Sequence, residues 1–200
     1  MIVSHNQKFV FVKTPKTAGT TLVSMLRRFT DVSLRNYDMG DHEKYYEIID
    51  QNHKFKNYFS FSFVRNPWDL RLSRYFYLKN IEVPRKKQKG EVYDDTVLKV
   101  DSFKEWCKIG SWFPSEVGGQ YEFMCDRDGN FAVDFIGRYE NLHEDYQKIC
   151  EKLKLPIRNL PKQNSTNHKH YTEYYDDETR NIVANVYQRD IQYFKYKFGE

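Results

Sequence analysis

A lysine within a run of small residues is the first feature of this sequence that suggests chemistry. Lys16 lies in the segment Lys13-Thr-Pro-Lys-Thr-Ala-Gly-Thr-Thr21, between an apolar run at residues 9–12 and a helical pattern that begins near Thr20. A strand, a short turn and a helix in this order direct backbone N–H groups and a helix N-terminus at an anion. The segment predicts an anion site in which the Lys16 ammonium reaches a bound phosphate. The alternative is an ordinary turn with an exposed lysine.

The order of glycine and lysine separates this turn from the phosphate loop of nucleotide hydrolases. That loop reads Gly-x-x-x-x-Gly-Lys-Ser/Thr, whereas here Lys16 precedes Gly19 and the stretch has no earlier glycine. Pro-Lys-Thr-x-Gly-Thr-Thr after a strand instead resembles the phosphosulfate-binding loop of the sulfotransferases, most closely in their carbohydrate branch of Golgi-type and bacterial enzymes. The resemblance implies that the following residues bind 3′-phosphoadenosine 5′-phosphosulfate (PAPS): Pro15, Lys16, Thr17, Ala18, Gly19, Thr20 and Thr21.

A second signature begins where the next apolar run ends. Tyr58 to Val64 predicts a strand, which leads directly into Arg65-Asn-Pro-Trp-Asp-Leu-Arg-Leu-Ser-Arg-Tyr75. This is similar to the sulfotransferase signature in which an arginine and a serine bind the 3′-phosphate of PAPS, and it gives those roles to Arg65 and Ser73. Arg65 lies at the mouth of a predicted helix, where the dipole favours an anion and a guanidinium can bind phosphate through two hydrogen bonds.

A histidine lies between the two signatures, in the stretch Gly40-Asp-His-Glu-Lys-Tyr-Tyr46. In related sulfotransferases a histidine in this interval is the general base, and the resemblance gives that role to His42. An acceptor hydroxyl is a poor nucleophile until its proton is accepted, and imidazole titrates near neutral pH. The alternative is a capping or packing role at the start of a helix. His53 is a weaker candidate, to which the family offers no role.

The stretch Phe135-Ile-Gly-Arg-Tyr-Glu-Asn-Leu142 extends the resemblance towards the C-terminus. It is similar to a segment of the family that follows a late strand and opens a helix. Arg138 is therefore a candidate for contact with the nucleotide or the acceptor. A structural pair between Arg138 and Glu140 is an equal alternative.

The closing loop of the family also has a counterpart here. Residues 160–166 and 171–175 resemble the segment that folds over the nucleotide in relatives. This implies a role in binding PAPS for Asn164 and Ser165. Lys162 departs from the pattern, because a histidine is common at that place.

The alternation of strand and helix patterns predicts an α/β fold. It should contain a central parallel sheet flanked by helices and a P-loop-like nucleotide-binding core, in one domain over residues 1–200. The basic region 82–95 is expected to be a solvated loop. Residues 121–125 are expected to pair with a strand at 131–136 as a hairpin. The residues predicted to cap helices are Asp41, Asn66, Asn141 and Asp176.

Composition limits the remaining possibilities. The chain has 200 residues, a formal net charge of +4 and three cysteines. A mild positive charge favours an anionic ligand over nucleic acid. Three cysteines without a Cys-x-x-Cys motif argue against a disulfide scaffold and against structural zinc, so no metal is expected.

The cellular location can also be predicted from the sequence. No apolar run approaches the roughly 18 residues of a membrane span, and residues 1–12 show no secretory signal. Animal Golgi relatives carry a membrane anchor before this domain. Because this sequence shows neither a membrane span nor a secretory signal, we expect a soluble, free-standing protein of the cytoplasm.

The predicted reaction is transfer of a sulfuryl group from the co-substrate PAPS to a hydroxyl acceptor. The resemblance favours a carbohydrate as that acceptor. Lys16 is expected to stabilise charge on the leaving oxygens, and His42 to accept the proton of the acceptor. One alternative is a nucleotide kinase or hydrolase with Mg²⁺, for which Asp134 is the remaining candidate ligand. The other is a non-catalytic module that binds the nucleotide, or a polyanion through the basic run 85–89.

Overall fold

The computed structural model describes residues 1–30, 42–109, 119–161 and 168–200. Strands are separated by helical segments along most of the chain, as the sequence pattern predicted. The strands are β1 (Ile2–Ser4), β2 (Phe9–Val12), β3 (Phe59–Val64) and β4 (Phe135–Arg138). The α-helices are α1 (Gly19–Leu26), α2 (Tyr45–Gln51), α3 (Pro67–Tyr77), α4 (Val83–Lys89), α5 (Phe103–Ile109), α6 (Leu142–Leu153), α7 (Asp177–Val186) and α8 (Gln188–Phe194).

The four strands form one mixed sheet in the order β1-β2-β3-β4. β2 and β3 are parallel, with Val10 opposite Ser60, and β3 and β4 are parallel, with Phe61 opposite Phe135. β1 runs antiparallel to β2. The α/β fold with a central parallel sheet is thereby confirmed, and an antiparallel edge strand that was not predicted is added to it.

Two compact units are distinguishable within the chain. The first comprises Met1–Arg65 and Gln120–Gln163, and contains the sheet together with α1, α2 and α6. The second comprises Asn66–Gly119 and Asn164–Glu200, and contains the other helices. Each unit has a hydrophobic core of its own. The single domain stays a prediction.

Alternating aromatic residues of β2 and β3 form the centre of the first core. Phe9, Phe11, Phe61 and Phe63 are fully buried, and the rings of Phe11 and Phe61 stack with their centroids 5.3 Å apart. Residues two apart on a strand share one face of the sheet, so this spacing places all four rings on a common surface. They belong to one cluster with Leu22, Met25 and Leu26 of α1 and with Tyr146, Ile149 and Cys150 of α6.

Helix α3 begins the second unit as its sequence predicted. The Asn66 side chain accepts a hydrogen bond from the backbone N–H of Trp68 at 3.2 Å, and Pro67 occupies the first helical position. Proline suits that position because a backbone N–H there has no acceptor within the helix, so its absence costs no hydrogen bond. Trp68 is held at both ends, since its indole N–H donates to the Arg180 carbonyl and its own carbonyl accepts from the Tyr175 hydroxyl.

The prediction of a loop at residues 82–95 is wrong for residues 82–89, which are helical, and is confirmed for residues 90–95. A π-helical turn, Leu78–Glu82, continues into α4, and Gly90, which follows the last residue of α4, is left-handed with φ 67°. Lysine, arginine and glutamine are good helix formers, and Pro84 lies in the first turn of α4, where it is tolerated. An ion pair of 3.5 Å between Glu82 and Lys86 spans the junction.

The expected hairpin is also wrong. Tyr121–Met124 forms a short 3₁₀ helix, and a single bridge joins Cys125 to Phe131. The turn between them is closed by Asp126, whose carboxylate accepts from the backbone N–H groups of Asp128 and Asn130. The following strand, β4, begins only at Phe135.

Two of the predicted helix caps need correction. Helix α2 begins at Tyr45, where the Glu47 carboxylate accepts from the backbone N–H of Lys44 at 2.7 Å, and Asp41 lies outside the described residues. Asn141 does precede α6, but its side chain makes no capping hydrogen bond.

Asp176 caps α7 as predicted, and this cap should make stability depend on pH. Its carboxylate accepts from the hydroxyl and the backbone N–H of Thr179, and these bonds, with Lys104 nearby, hold the pKa of Asp176 well below the usual 3.8. A carboxyl with a lowered pKa in the folded state stabilises the fold above its unfolded pKa, and the contribution is lost as pH falls through the folded value.

Asp176→Ala should therefore lower the melting temperature at neutral pH, and the difference from wild type should shrink as pH falls below 3.8. Thermal unfolding followed by circular dichroism across this pH range measures it. Asp177→Ala is the matched control, because it removes an exposed carboxylate from the same helical turn. A deficit that stays constant as the pH falls would contradict the assignment of the cap.

Candidate functional site

In the loop between β2 and α1, residues with a left-handed backbone conformation alternate with a residue whose φ is not positive. Lys16 and Ala18 are left-handed, with φ of 61° and 60°, whereas Thr17 between them has no positive φ. Non-glycine residues rarely adopt this conformation, and it persists where the surrounding structure enforces it. Alternation of this kind turns successive N–H groups to one side and forms a concave site for an anion. The predicted phosphosulfate loop therefore has the backbone that an anion site requires.

Buried threonine hydroxyls fix this loop to the sheet. Thr14 donates to the carbonyl of Phe63 in β3, and the Thr17 hydroxyl donates to the Thr14 carbonyl at 3.0 Å. Both threonines are fully buried. The Thr17 hydroxyl is therefore bonded within the protein. A Cβ at Gly19 would lie only 2.8 Å from Cγ of Lys13, so glycine allows the Lys13 side chain to cross the start of α1 closely.

Arg65 contacts the loop directly. One guanidinium N–H of Arg65 donates to the carbonyl of Lys16 at 3.1 Å. The guanidinium carbon lies 3.9 Å from the centre of the Tyr139 ring, which fits a cation–π contact. Arg65 is only 6% exposed, so its position is set by these contacts and not by solvent. Arg65, the first residue of the second signature, thus lies against the predicted phosphosulfate loop within the first unit.

The main chain of Arg65 is held by a residue that the sequence did not indicate. The side-chain oxygen of Gln120 accepts from the Arg65 N–H, and the side-chain nitrogen of Gln120 donates to the Arg65 carbonyl, both at 2.8 Å. Gln120 is fully buried. It belongs to no motif and lies 55 residues from Arg65, so no local signal could have revealed it.

His42 lies against the residue that begins the loop. Its Nδ1 is 3.0 Å from the carbonyl oxygen of Lys13, and its ring meets that of Phe123 edge to face at 6.5 Å. A carbonyl can only accept, so this bond places the proton of a neutral imidazole on Nδ1. Nε2 is then the nitrogen with a lone pair, as a general base requires.

Comparison with known proteins identifies the family of this chain. The profile of the sulfotransferase family matches residues 1–197. The chain belongs to the sulfotransferase family. The resemblance inferred from the two signatures is therefore confirmed, and the protein is a PAPS-dependent sulfotransferase.

Two further similarities accompany the family assignment. An uncharacterized protein of Archaeoglobus fulgidus is 35% identical over 102 residues, which cover 51% of this sulfotransferase and 72% of that protein. The crystal structure of mouse sulfotransferase SULT7A1 complexed with PAP has a TM-score of 0.52 and 11% identity, and the match covers 96% of this chain and 87% of that one. At this identity the likeness to the mouse enzyme shows a common fold.

The other predicted site residues of the sulfotransferase are less directly placed. Ser73 is buried on α3 and belongs to the second unit. The backbone N–H of Arg138 donates to Asp145 at 2.8 Å, and the Glu140 side chain is exposed. The predicted residues Asn164 and Ser165, and Lys162 where the sequence departs from the family pattern, lie outside the described residues.

The candidate Mg²⁺ ligand is engaged in the sheet. One carboxylate oxygen of Asp134 accepts from the backbone N–H and the hydroxyl of Ser60, at 2.7 and 2.8 Å. Ser60 pairs with Val10, so Asp134 lies about 10 Å along the strands from the start of the loop at Lys13. Asp134 therefore does not support the alternative of a Mg²⁺-dependent kinase. Among the described residues, no cluster of three or more His, Cys, Asp or Glu side chains could hold a metal.

The three cysteines lie in the interior of the protein. Cys107, Cys125 and Cys150 are buried and free, and burial raises the pKa of Cys107 to about 11. A thiol with a raised pKa is a poor nucleophile at neutral pH, so Cys107 is a core residue. Across the described part of the chain, every helix is too short or too polar to cross a bilayer.

Proposed function

We propose that this sulfotransferase transfers a sulfuryl group from PAPS to a hydroxyl of a carbohydrate. The observation that carries the proposal is the bond between His42 Nδ1 and the Lys13 carbonyl. This bond joins the imidazole to the same loop in which Lys16 and Ala18 have left-handed backbones, the loop that we propose binds the anionic end of the nucleotide. The resemblance of the loop at residues 15–21 to the carbohydrate branch of the family supports a carbohydrate acceptor.

The loop should bind the 5′ end of the nucleotide. The backbone N–H groups from Thr17 to Thr21 and the Lys16 ammonium form the donor set, and oriented donors of this kind stabilise charge that develops in a transition state. When bound, PAPS supplies the sulfuryl group and a leaving phosphate. Lys16 then neutralises charge on the oxygen from which sulfur departs. Positioning and charge stabilisation dominate, as in phosphoryl transfer.

His42 should activate the acceptor. The acceptor hydroxyl loses its proton to Nε2 of His42 as its oxygen forms the new bond to sulfur. Nδ1 remains bonded to the Lys13 carbonyl, which stabilises the imidazolium that forms. The proton of the acceptor thus ends on His42, and the electron pair of the broken bond ends on the leaving phosphate, whose charge Lys16 would stabilise.

Arg65 and Ser73 should select the nucleotide. PAPS and adenosine 5′-phosphosulfate would present the same 5′ end to the loop, and they differ only at the 3′-phosphate. A second anion site is therefore needed to tell them apart. Charge-assisted hydrogen bonds contribute roughly 1.5–3 kcal/mol each. We therefore expect 3′-phosphoadenosine 5′-phosphate (PAP) to bind the wild-type protein about 10-fold to more than 100-fold more tightly than AMP.

Calorimetric titration of the wild-type protein with PAP, AMP and ATP, with and without Mg²⁺, tests the nucleotide site. The expected order is PAP well above AMP, with no gain from Mg²⁺. Equal affinity for PAP and AMP would overturn the 3′-phosphate site, and tight binding of ATP only with Mg²⁺ would favour the kinase alternative.

Sulfuryl transfer tests the acceptor class. PAPS labelled in the sulfuryl group is offered with a neutral oligosaccharide, an acidic oligosaccharide, a phenol and a tyrosine peptide, and label is followed into each. Transfer to an oligosaccharide supports the proposal, whereas transfer only to the phenol or the peptide contradicts the carbohydrate assignment. Binding of PAP without transfer to any acceptor would favour the non-catalytic alternative.

A further inference from the structure

Arg65 is held from its main chain as well as from its side chain. The amide of Gln120 makes two hydrogen bonds of 2.8 Å to the Arg65 backbone, one to its N–H and one to its carbonyl. This is the pairing that a neighbouring strand would provide, but it comes from a single side chain. It occurs directly after β3 ends at Val64, where strand pairing stops.

Such a bond pair restricts the backbone angles of Arg65. Gln120 is fully buried, and two buried hydrogen bonds to one residue are costly to break because both backbone groups would be left without partners. A fixed backbone determines where the side chain starts. The Tyr139 ring, 3.9 Å from the guanidinium carbon, and the Lys16 carbonyl, 3.1 Å from a guanidinium nitrogen, then determine where it ends.

We propose that Gln120 is a positioning residue for nucleotide selection, which holds Arg65 in the orientation that recognises a 3′-phosphorylated nucleotide. The proposal rests on the function proposed above. Gln120 acts through Arg65 and touches no substrate atom. A guanidinium binds phosphate through hydrogen bonds of defined direction, so its selectivity depends on orientation more than that of a point charge does.

The test is the ratio of PAP affinity to AMP affinity in Gln120→Met. Methionine has nearly the same length and shape but forms neither hydrogen bond. We expect the ratio to fall by about 10-fold, since two neutral hydrogen bonds that orient Arg65 are lost. AMP affinity should stay within a few-fold of wild type. A ratio unchanged from wild type would overturn the proposal.

A double mutant separates positioning from a general loss of stability. Arg65→Ala alone should abolish most of the preference for PAP, and adding Gln120→Met should lower the ratio no further, because Gln120 acts only through Arg65. Effects that multiply in the double mutant would show that Gln120 acts by another route. Gln120→Asn keeps an uncharged amide but shortens the side chain by one methylene, so it should also lower the ratio, and it serves if the methionine variant does not fold.

Gln51→Ala is the matched control. Gln51 is a glutamine of the first unit whose side chain donates to Glu43 at 3.0 Å. The PAP to AMP ratio should be unchanged in this variant even if its melting temperature falls. If wild type itself shows no preference for PAP, the proposed nucleotide site fails together with this inference. If wild type prefers PAP and Gln120→Met does too, the inference alone fails.

Discussion

Lys16→Ala should lower the turnover number of sulfuryl transfer by about 10²–10³, the usual effect of removing one donor that stabilises developing charge. The loop should keep its shape, because alanine and lysine meet the same steric restriction at φ 61°. The Lys16 carbonyl, which accepts from Arg65, is also retained in the variant. Steady-state kinetics with PAPS and the best acceptor measure the effect.

Lys8→Ala is a suitable control for this experiment. Lys8 is exposed, has a φ of 51°, and lies before β2, at the end of the strand opposite the loop. Lys8→Ala removes one positive charge from a residue whose backbone is left-handed, as that of Lys16 is. The variant should keep turnover within a few-fold of wild type. Near-normal transfer by Lys16→Ala would overturn the role of Lys16, and an equal loss in both variants would show a general effect of charge.

The elements that the sequence predicted well are those with local signals. The run Phe9–Val12, followed by Pro15 and small residues, marks a buried strand that ends in a turn. Asn66 and Pro67 mark the start of α3, because a capping side chain and a proline favour the same position. Both signatures depend on neighbours within a few residues, and for that reason the loop and Arg65 could be located without a structure.

Helix α4 shows how a local signal can be misinterpreted. Its run of positive charge suggested a solvated loop, yet Pro84 near the beginning and Gly90 after the end are the residues expected at the two ends of a helix. Strand β1 was missed for another reason. It has three residues, too few for a pattern of alternation, and it is defined by its pairing with β2.

The residues that orient Arg65 could not be predicted in the same way. Gln120 and Arg65 meet across 55 residues, and the contact depends on how the chain returns to the end of β3. Tyr139 did lie within a segment that resembles the family, but only the structure shows its ring against the guanidinium. Sequence identifies the group that binds a ligand more readily than the groups that hold it in place, because the latter are chosen by tertiary contacts.

His42 offers a test in which two roles of one side chain can be separated. His42→Ala should lower turnover by about 10²–10⁴, the range expected for loss of a general base, while PAP affinity changes little. His53→Ala is the control, since His53 is exposed in the same unit and begins a 3₁₀ helix, and it should retain activity. A PAP affinity that falls as steeply as turnover would show that His42 binds the nucleotide or supports the fold.

His42→Gln distinguishes proton transfer from support of the loop. A glutamine amide can still donate to the Lys13 carbonyl, as Nδ1 of His42 does at 3.0 Å, but it cannot accept a proton at neutral pH. If His42 is the base, the glutamine variant should be as slow as the alanine variant. Recovery of turnover in His42→Gln would instead mean that the bond to Lys13 is the function of this side chain.

The pH profile gives an independent criterion for the same role. A general base acts in its neutral form, so wild-type turnover should rise with pH through the titration of an imidazole and then level off. The rise should vanish in both His42 variants, whose residual rate no longer depends on a group that titrates in this range. Persistence of the same rise in His42→Ala would assign the titrating group to another residue and would leave His42 without a catalytic role.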